Sequence, residues 1–431
     1  MRYLYSALFY VLLPFILLRM LLRSRHAPQY RQRLAERFGM FTAPPDAGQP
    51  AIWVHAVSLG ETLAAAPVIE SLLLAYPDHR LVVTTTTPTG SERVRALFGE
   101  RVFHVYAPWD LPGAVCRFLR RTRPRLLLLM ETELWPNMVH YARAQDCRII
   151  LANARLSERS ARGYARIGGL TRHMLSQLDA VACQATADGQ RFLALGLPRS
   201  ALQVTGSIKF DLELDGQLRA SAAAVRTEFA SDKRPVLVAA STHAGEDEII
   251  LAAFRQLRRS RDNCLLVLVP RHPERFEAVL SLCLDQGWQV VRRSSGAAPG
   301  VGDDIVVGDT VGELLLLLGA ATVAVIGGSL VARGGHNALE AAAWGVPVIT
   351  GPHMCNFLEV SELLTAAGAM IKLDNAAMLG DCLEDLLQHP RKCRQMGGAG
   401  QQVVATNRGA KKQLLQLVAQ QLAPPAAEDA A

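Results

Sequence analysis

The chain has 431 residues, of which 50% are apolar, 20% charged and 6% aromatic. That length is long for one compact domain and comfortable for two, and the composition excludes a disordered, collagen-like or polytopic membrane protein. Forty-six basic residues against 39 acidic ones leave a formal charge of +7. Residues 1–50 hold seven arginines against Glu36 and Asp46, so +5 of that charge lies in the first fifty positions. A nucleic-acid binder would spread its basic charge along a folded domain. Here the charge crowds beside the most apolar stretch of the chain, which points to a membrane surface and not to nucleic acid.

Taken in order, residues 1–24 read as a membrane-anchor helix. Tyr3 to Leu18 carries no charge and as a helix would span about 24 Å; extended through Leu22 it reaches about 30 Å, the thickness of a bilayer core. Arg19, Arg23, Arg25, Arg31, Arg33 and Arg37 follow, which by the positive-inside rule holds that flank and the rest of the chain in the cytoplasm. A cleaved signal peptide is the alternative. The single preceding Arg2, the crowd of arginines after the run and the lack of a small-residue cleavage site argue against it. Whether the anchor spans the bilayer or lies in its interface is open; it has no strongly charged face, which mildly favours spanning.

Residues 25–50 form a basic segment and linker. Beyond it, short apolar runs alternate with helical stretches. Strands are predicted at 51–56, 80–86, 101–106, 125–130, 147–152, 179–183 and 202–205, and in a second series at 235–240, 263–269, 287–292, 303–307, 321–326 and 346–350. Runs such as Leu126-Leu127-Leu128-Leu129 do not alternate, as expected of parallel strands buried on both faces. The class is therefore α/β, with two Rossmann-like domains at 51–210 and 234–422 and a ligand cleft between them. The polar stretch 211–233 is expected to link them, and 423–431 to form a disordered tail. The eight cysteines include no C-x-x-C pair, which suits a reducing compartment.

Several motifs sit where these strands end. His55-Ala56-Val57-Ser58-Leu59-Gly60-Glu61 joins a strand to a helix, and a carboxylate there could take a proton from an incoming hydroxyl. An acid in the first helical turn is also what the helix dipole favours. Glu131 and Glu133 follow the Leu126–Leu129 strand; either catalysis or capping of the next helix accounts for them. Gly206-Ser207-Ile208-Lys209 closes the first domain and places Lys209 near the cleft, although by itself it reads as a solvated surface lysine. In the second domain, Pro270-Arg271-His272-Pro273 offers a guanidinium whose fork matches two phosphate oxygens. Gly308 to Glu313 opens a Leu-rich helix. Gly327-Gly328-Ser329 with Gly334-Gly335-His336-Asn337-Ala338-Leu339-Glu340 sets a glycine-rich turn before a helix whose free N–H groups suit a phosphate. It is neither a dinucleotide fingerprint nor a Walker A loop.

Together these segments (HAVSLGE, ETELWPN, GSIKFD, PRHPERF, GDTVGEL and GGSLVARGGHNALEAAAWGVPVITGPH) resemble the 3-deoxy-D-manno-octulosonic acid (Kdo) transferases of lipopolysaccharide synthesis. They run in family order over nearly all of the chain beyond the linker. Leu59 stands where the family often has Val, and Ser207 where Asn is common. The resemblance implies a GT-B glycosyltransferase fold, CMP-Kdo as donor and the acylated lipid A precursor as acceptor at the cytoplasmic leaflet of the inner membrane. It implies Glu61 as general base of an inverting transfer, with Glu131 and Lys209 stabilising the transition state. Pro270, Arg271, Val311, Gly312, Glu313 and the run Asn337, Ala338, Leu339 and Glu340 would hold CMP. No cofactor and no metal are expected, in keeping with the absence of a D-x-D dyad at a plausible site. Another GT-B enzyme using a UDP-sugar, whether a glycosyltransferase or an epimerase, would share the glycine-rich turn, as would a non-enzymatic membrane-anchored nucleotide- or lipid-binding protein. The HAVSLGE and ETELWPN segments favour Kdo transfer.

Overall fold

The computed structural model of the chain describes residues 1–25, 28–44, 48–229 and 234–423. They form two compact units, Met1–Asp211 with the C-terminal segment from Arg408, and Leu212–Asn407.

The first unit is built on a seven-stranded parallel sheet of order β3-β2-β1-β4-β5-β6-β7. Its strands are β1 (Ala51–His55), β2 (Arg80–Thr85), β3 (Phe103–Tyr106), β4 (Pro124–Met130), β5 (Arg148–Ala154), β6 (Ala180–Cys183) and β7 (Leu202–Val204). Alternate residues of β1 and β4 enter different cores. Trp53, Leu127 and Leu129 pack with Phe118 on one face, and Ile52, Val54, Leu126 and Leu128 with Val68 and Leu72 on the other. Burial on both faces is why these strands read as unbroken apolar runs. The second unit holds another parallel seven-stranded sheet, β10-β11-β9-β8-β12-β13-β14. It comprises β8 (Val236–Thr242), β9 (Leu265–Pro270), β10 (Val290–Arg292), β11 (Ile305–Val307), β12 (Val323–Ile326), β13 (Val348–Thr350) and β14 (Met370–Lys372). The strand order reverses between β1 and β4 in the first sheet and between β8 and β12 in the second. Such reversals open a crevice at the strand C-termini.

The two-Rossmann architecture is as predicted, but its bounds differ. The segment expected as a linker carries the helix Gly216–Phe229, which buries Ala222, Val225 and Phe229 in the second unit; residues 230–233 lie outside the described residues. The helix Ala410–Leu422, expected in the second domain, belongs to the first. Leu414, Leu417 and Val418 complete the core over β4 and β5. Asp211 fixes its start, its two carboxylate oxygens accepting from the N–H groups of Gly409 and Lys411 at 2.6 Å each. Of the tail expected at 423–431, all but Ala423 lies outside the described residues.

The N-terminal helix forms over Arg2–Arg23 and is the one described helix long and apolar enough to cross a membrane. The basic segment after it is not simply a linker. Arg33 binds Glu36 (2.6 Å), the Ser91 hydroxyl (3.0 Å) and the His104 carbonyl (3.0 Å). Arg37 is buried and donates to the Thr86 carbonyl at 2.7 Å. Both guanidinium groups lie over the Tyr106 ring. Two of the arginines counted as membrane flank therefore hold residues 33–38 onto the first sheet.

Candidate active site

In the first unit, β1 hands over to the helix Leu59–Ala75 through Ser58, its N-cap. The Ser58 hydroxyl donates to Glu61 Oε1 at 2.9 Å, and Glu61 Oε2 accepts the Val57 N–H at 2.8 Å. This is a variant of the S-x-x-E capping box, so the dipole reading of Glu61 holds. It does not exhaust the residue. Glu61 is buried, and burial pushes its carboxyl up to about 7 against the Val57 and Ser58 hydrogen bonds, helped by the neighbouring carboxylates of Glu133 and Glu131. Each oxygen keeps a second lone pair. The result is a carboxyl poised near neutrality at the crevice where the first sheet reverses, the property a general base needs.

Glu131 follows β4 with φ +55°, a left-handed conformation uncommon for a residue other than glycine. Its N–H donates to the Ala152 carbonyl at 2.9 Å. Glu133 is raised by burial, partly offset by the Trp135 indole N–H donated to it at 2.9 Å. Lys209 lies on the turn Ile208–Phe210, which the Ile208 N–H ties to Asn153 Oδ1 at 3.1 Å at the end of β5. Glu61, Glu131 and Lys209 thus all stand at the C-terminal edge of the first sheet.

In the second unit, Pro270 ends β9 and the Arg271 N–H donates to the Thr242 carbonyl at 3.0 Å. The Arg271 side chain is exposed and has no ion-pair partner among the described residues. It is close enough to Glu340 and His336 to bias both charges. Asn337 lies just before the Leu339–Trp344 helix, accepting the Leu339 N–H at 3.1 Å and donating to Glu340 at 3.3 Å. Burial raises the Glu340 carboxyl, and Asn337 and Arg271 work against that. The glycines of the turn serve the fold first. A Cβ on Gly327 would fall on the Ser241 carbonyl, and one on Gly335 on the Met354 sulfur; Gly334 and Gly335 have φ of +95° and +77°. Val311 and Gly312 are exposed. Glu313 is engaged: it accepts from Thr310 at 2.6 Å and from Arg293 at 3.1 Å. Burial pushes its carboxyl upward, but these two partners outweigh it and hold the group low.

Residues 32–212 match the family described as 3-deoxy-D-manno-octulosonic-acid transferase (kdotransferase), and residues 238–403 match glycosyl transferases group 1. Over 97% of the chain and 98% of its counterpart, the sequence is 43% identical to a 3-deoxy-D-manno-octulosonic acid transferase of Haemophilus influenzae. The chain belongs to this transferase family. A relative of the same description from Bordetella pertussis is 39% identical over 94% of the chain and 95% of that protein. Among solved structures, a UDP-GlcNAc 2-epimerase from Neisseria meningitidis shares the fold with a TM-score of 0.55 at 14% identity, covering 86% of this chain and all of that one. A glycosyltransferase from Rickettsia africae does so at 0.52 and 12%, covering 87% of this chain and 99% of its own. The transferase is a GT-B glycosyltransferase, as expected.

Sequence reading missed the turn after β8 of the transferase, Ser241-Thr242-His243-Ala244-Gly245-Glu246. Glu246 is fully buried. It accepts the N–H groups of His243 (2.8 Å), Gly328 (2.7 Å) and Leu330 (2.9 Å), and so pins the glycine-rich turn. His243 Nε2 lies 2.8 Å from His336 Nε2, so one ring donates and the other accepts. Burial, then Arg271, holds His336 down to about 4, and burial lowers His243. The signal was the internal duplication itself. The β8 turn occupies the place in the second sheet that HAVSLGE occupies in the first, each with a glutamate opening the next helix.

Proposed function

We propose that the transferase moves Kdo from CMP-Kdo to the acylated disaccharide precursor of lipid A, with inversion, at the cytoplasmic leaflet of the inner membrane. The observation that carries the mechanism is Glu61, a buried carboxyl held at about 7 at the end of β1. In its ionised form it accepts the proton of the acceptor hydroxyl as that oxygen attacks the anomeric carbon. The new C–O bond forms, the bond from that carbon to the CMP phosphate oxygen breaks, and CMP leaves with the electron pair. No covalent enzyme intermediate is needed. Glu131 and Lys209 assist at the same sheet edge.

Arg271 meets the charge on the leaving phosphate, with the Asn337–Glu340 segment and the Val311–Glu313 loop holding the rest of CMP. Glu313 is already bound to Arg293, so its part is to shape that loop. No residues for a divalent ion are assigned, and turnover should survive a chelator. The long apolar N-terminal helix supports the membrane location of an enzyme whose acceptor is a lipid.

The test is to incubate the full-length protein with CMP-Kdo and the tetraacylated precursor and resolve the products by mass. Addition of Kdo by the parent chain and its loss in Glu61→Gln are expected. Transfer by Glu61→Gln at near parental rate would remove the base. The UDP-sugar reading is separated by ligand-dependent melting: CMP, and not UDP, should raise Tm by mass action.

A further inference from the structure

A helix of 22 residues is about 33 Å long, enough to cross a bilayer, and crossing would put its ends in different compartments. In this chain the N-terminal end is held by the folded unit, and the chain is bound to that same unit again at Arg33, nine residues beyond Ser24. At the N-terminal end, Arg2 donates to Asn137 Oδ1 (3.1 Å) and the Tyr141 hydroxyl (3.2 Å). Ser6, buried, exchanges hydrogen bonds with the Asn137 amide at 3.0–3.2 Å, and Tyr5 bonds the Asp110 carboxylate. Asn137 and Asp110 are themselves fixed: Asp110 accepts the N–H groups of Asn137 and Met138 at 2.9 and 2.7 Å. At the C-terminal end, buried Ser24 accepts from Arg31 at 2.7 Å. That contact is local to the segment after the helix; Phe38, fourteen residues beyond Ser24, is held to the unit by Arg117, which donates to its carbonyl at 2.8 Å.

The two sides of the helix differ between these anchor points. Ser6, Phe9, Leu13, Ile16, Leu17, Met20 and Ser24 form a buried or half-buried stripe at helical spacing. Leu4, Leu8, Val11, Leu12, Phe15, Leu18 and Leu22 form the opposite stripe, all exposed and apolar, with exposed Arg19 among them near the C-terminal end. A basic face lies nearby. In the helix Glu158–Arg166, Arg159, Arg162 and Arg166 recur at i, i+3 and i+7, all exposed and without an acidic partner among the described residues. Its inner residue Tyr164 is within electrostatic reach of Tyr5.

Resting on the membrane reading above, we propose that the N-terminal helix lies in the plane of the membrane and does not cross it. The Leu4–Leu22 stripe enters the acyl region of one leaflet, and the arginine face of residues 159–166 meets anionic lipid headgroups. A polar unit that grips the start of the helix, and the chain again at Arg33 shortly after its end, cannot stand on both sides of a hydrocarbon core, where unsatisfied polar groups cost several kcal/mol each. The helix has no basic face of its own; the arginines of the Glu158–Arg166 helix, on the same unit, supply the attraction to anionic lipid that strengthens an interfacial anchor.

The test uses the full-length chain in inner-membrane vesicles of either orientation and an impermeant maleimide. Tyr3→Cys reports the N-terminus, and exposed native Cys355 reports the second unit; modified peptides are identified by mass. Both sites should react in inside-out vesicles and both stay protected in right-side-out ones. Reaction of Cys at position 3 in right-side-out vesicles, with Cys355 protected, would establish a spanning helix and overturn the proposal while leaving the membrane reading intact. A chain that does not sediment with membranes at all would overturn the membrane reading itself. For the basic face, the Arg159→Gln, Arg162→Gln, Arg166→Gln variant should bind phosphatidylglycerol vesicles about fivefold more weakly per arginine removed, with binding to phosphatidylcholine vesicles unchanged. Equal loss on both lipids would rule out the headgroup contact.

Discussion

Glu61 carries two roles that act on one proton. As a helix cap it accepts hydrogen bonds from Val57 and Ser58, which favour the carboxylate; as a buried group it is penalised for charge, and burial wins. Proton release by the folded state occurs near pH 7, against about 4.5 in the unfolded chain. The stability from holding that proton is therefore complete below about pH 4.5 and is lost as pH rises through 7. Glu61→Gln should gain stability relative to the parent on going from pH 5 to pH 8, by up to about 3 kcal/mol, measured by denaturant melts at both values. The same variant should lose about 10²–10⁴-fold in kcat. The parental kcat/KM should climb with pH and level off above about 7; a flat profile between pH 5 and 8 would contradict the assignment. Arg271, exposed and with no ion-pair partner among the described residues, should behave differently: Arg271→Ala weakens CMP binding, read by calorimetry, and leaves folding stability within about 0.5 kcal/mol. HAVSLGE pointed to Glu61 from sequence, but not to its raised carboxyl, because that comes first from burial in the fold and then from Glu133 and Glu131, which arrive from a strand seventy residues on. Glu246 escaped notice for the same reason. Its partners Gly328 and Leu330 meet it through the pairing of β8 with β12.

At the scale of elements, the strands were the most legible part. Runs such as Leu126–Leu129 and Leu265–Val269 have no polar face to disguise them. The strand that sequence reading passed over, β14, is three residues long, with Lys372 exposed at its end. Gly216–Phe229 was read as a linker because its buried stripe is small and sparse, Ala222, Val225 and Phe229. The glycine-rich turn was correctly singled out, yet its glycines answer mainly to Ser241, Asn356 and Met354. Substitution there should act through the fold: Gly327→Ala should lower Tm as well as activity, since its Cβ meets backbone that cannot step aside.

At the scale of the molecule, the arithmetic of charge was half right. The early arginines do crowd beside an apolar helix, but Arg33 and Arg37 are spent on structure, and part of the basic face lies instead on the Glu158–Arg166 helix, invisible to a count confined to the first fifty residues. The C-terminal helix was placed by sequence order, and order misled, because the chain returns to the first unit after Asn407. Ending the chain at Asn407 should therefore destabilise the first unit, not the second. Leu414→Ala, at a fully buried position, should cost about 2–5 kcal/mol, and hydrogen exchange should show the loss in β4 and β5.

The same return has a modular consequence. The second unit is a single uninterrupted insert, Leu212 to Asn407, and its points of departure and return are clasped together by Asp211 on the Gly409 and Lys411 amides. Exchange of that insert between relatives, spliced at these two neighbouring points, would transplant one Rossmann-like module whole while the host keeps its own sheet, its N-terminal helix and its closing helix.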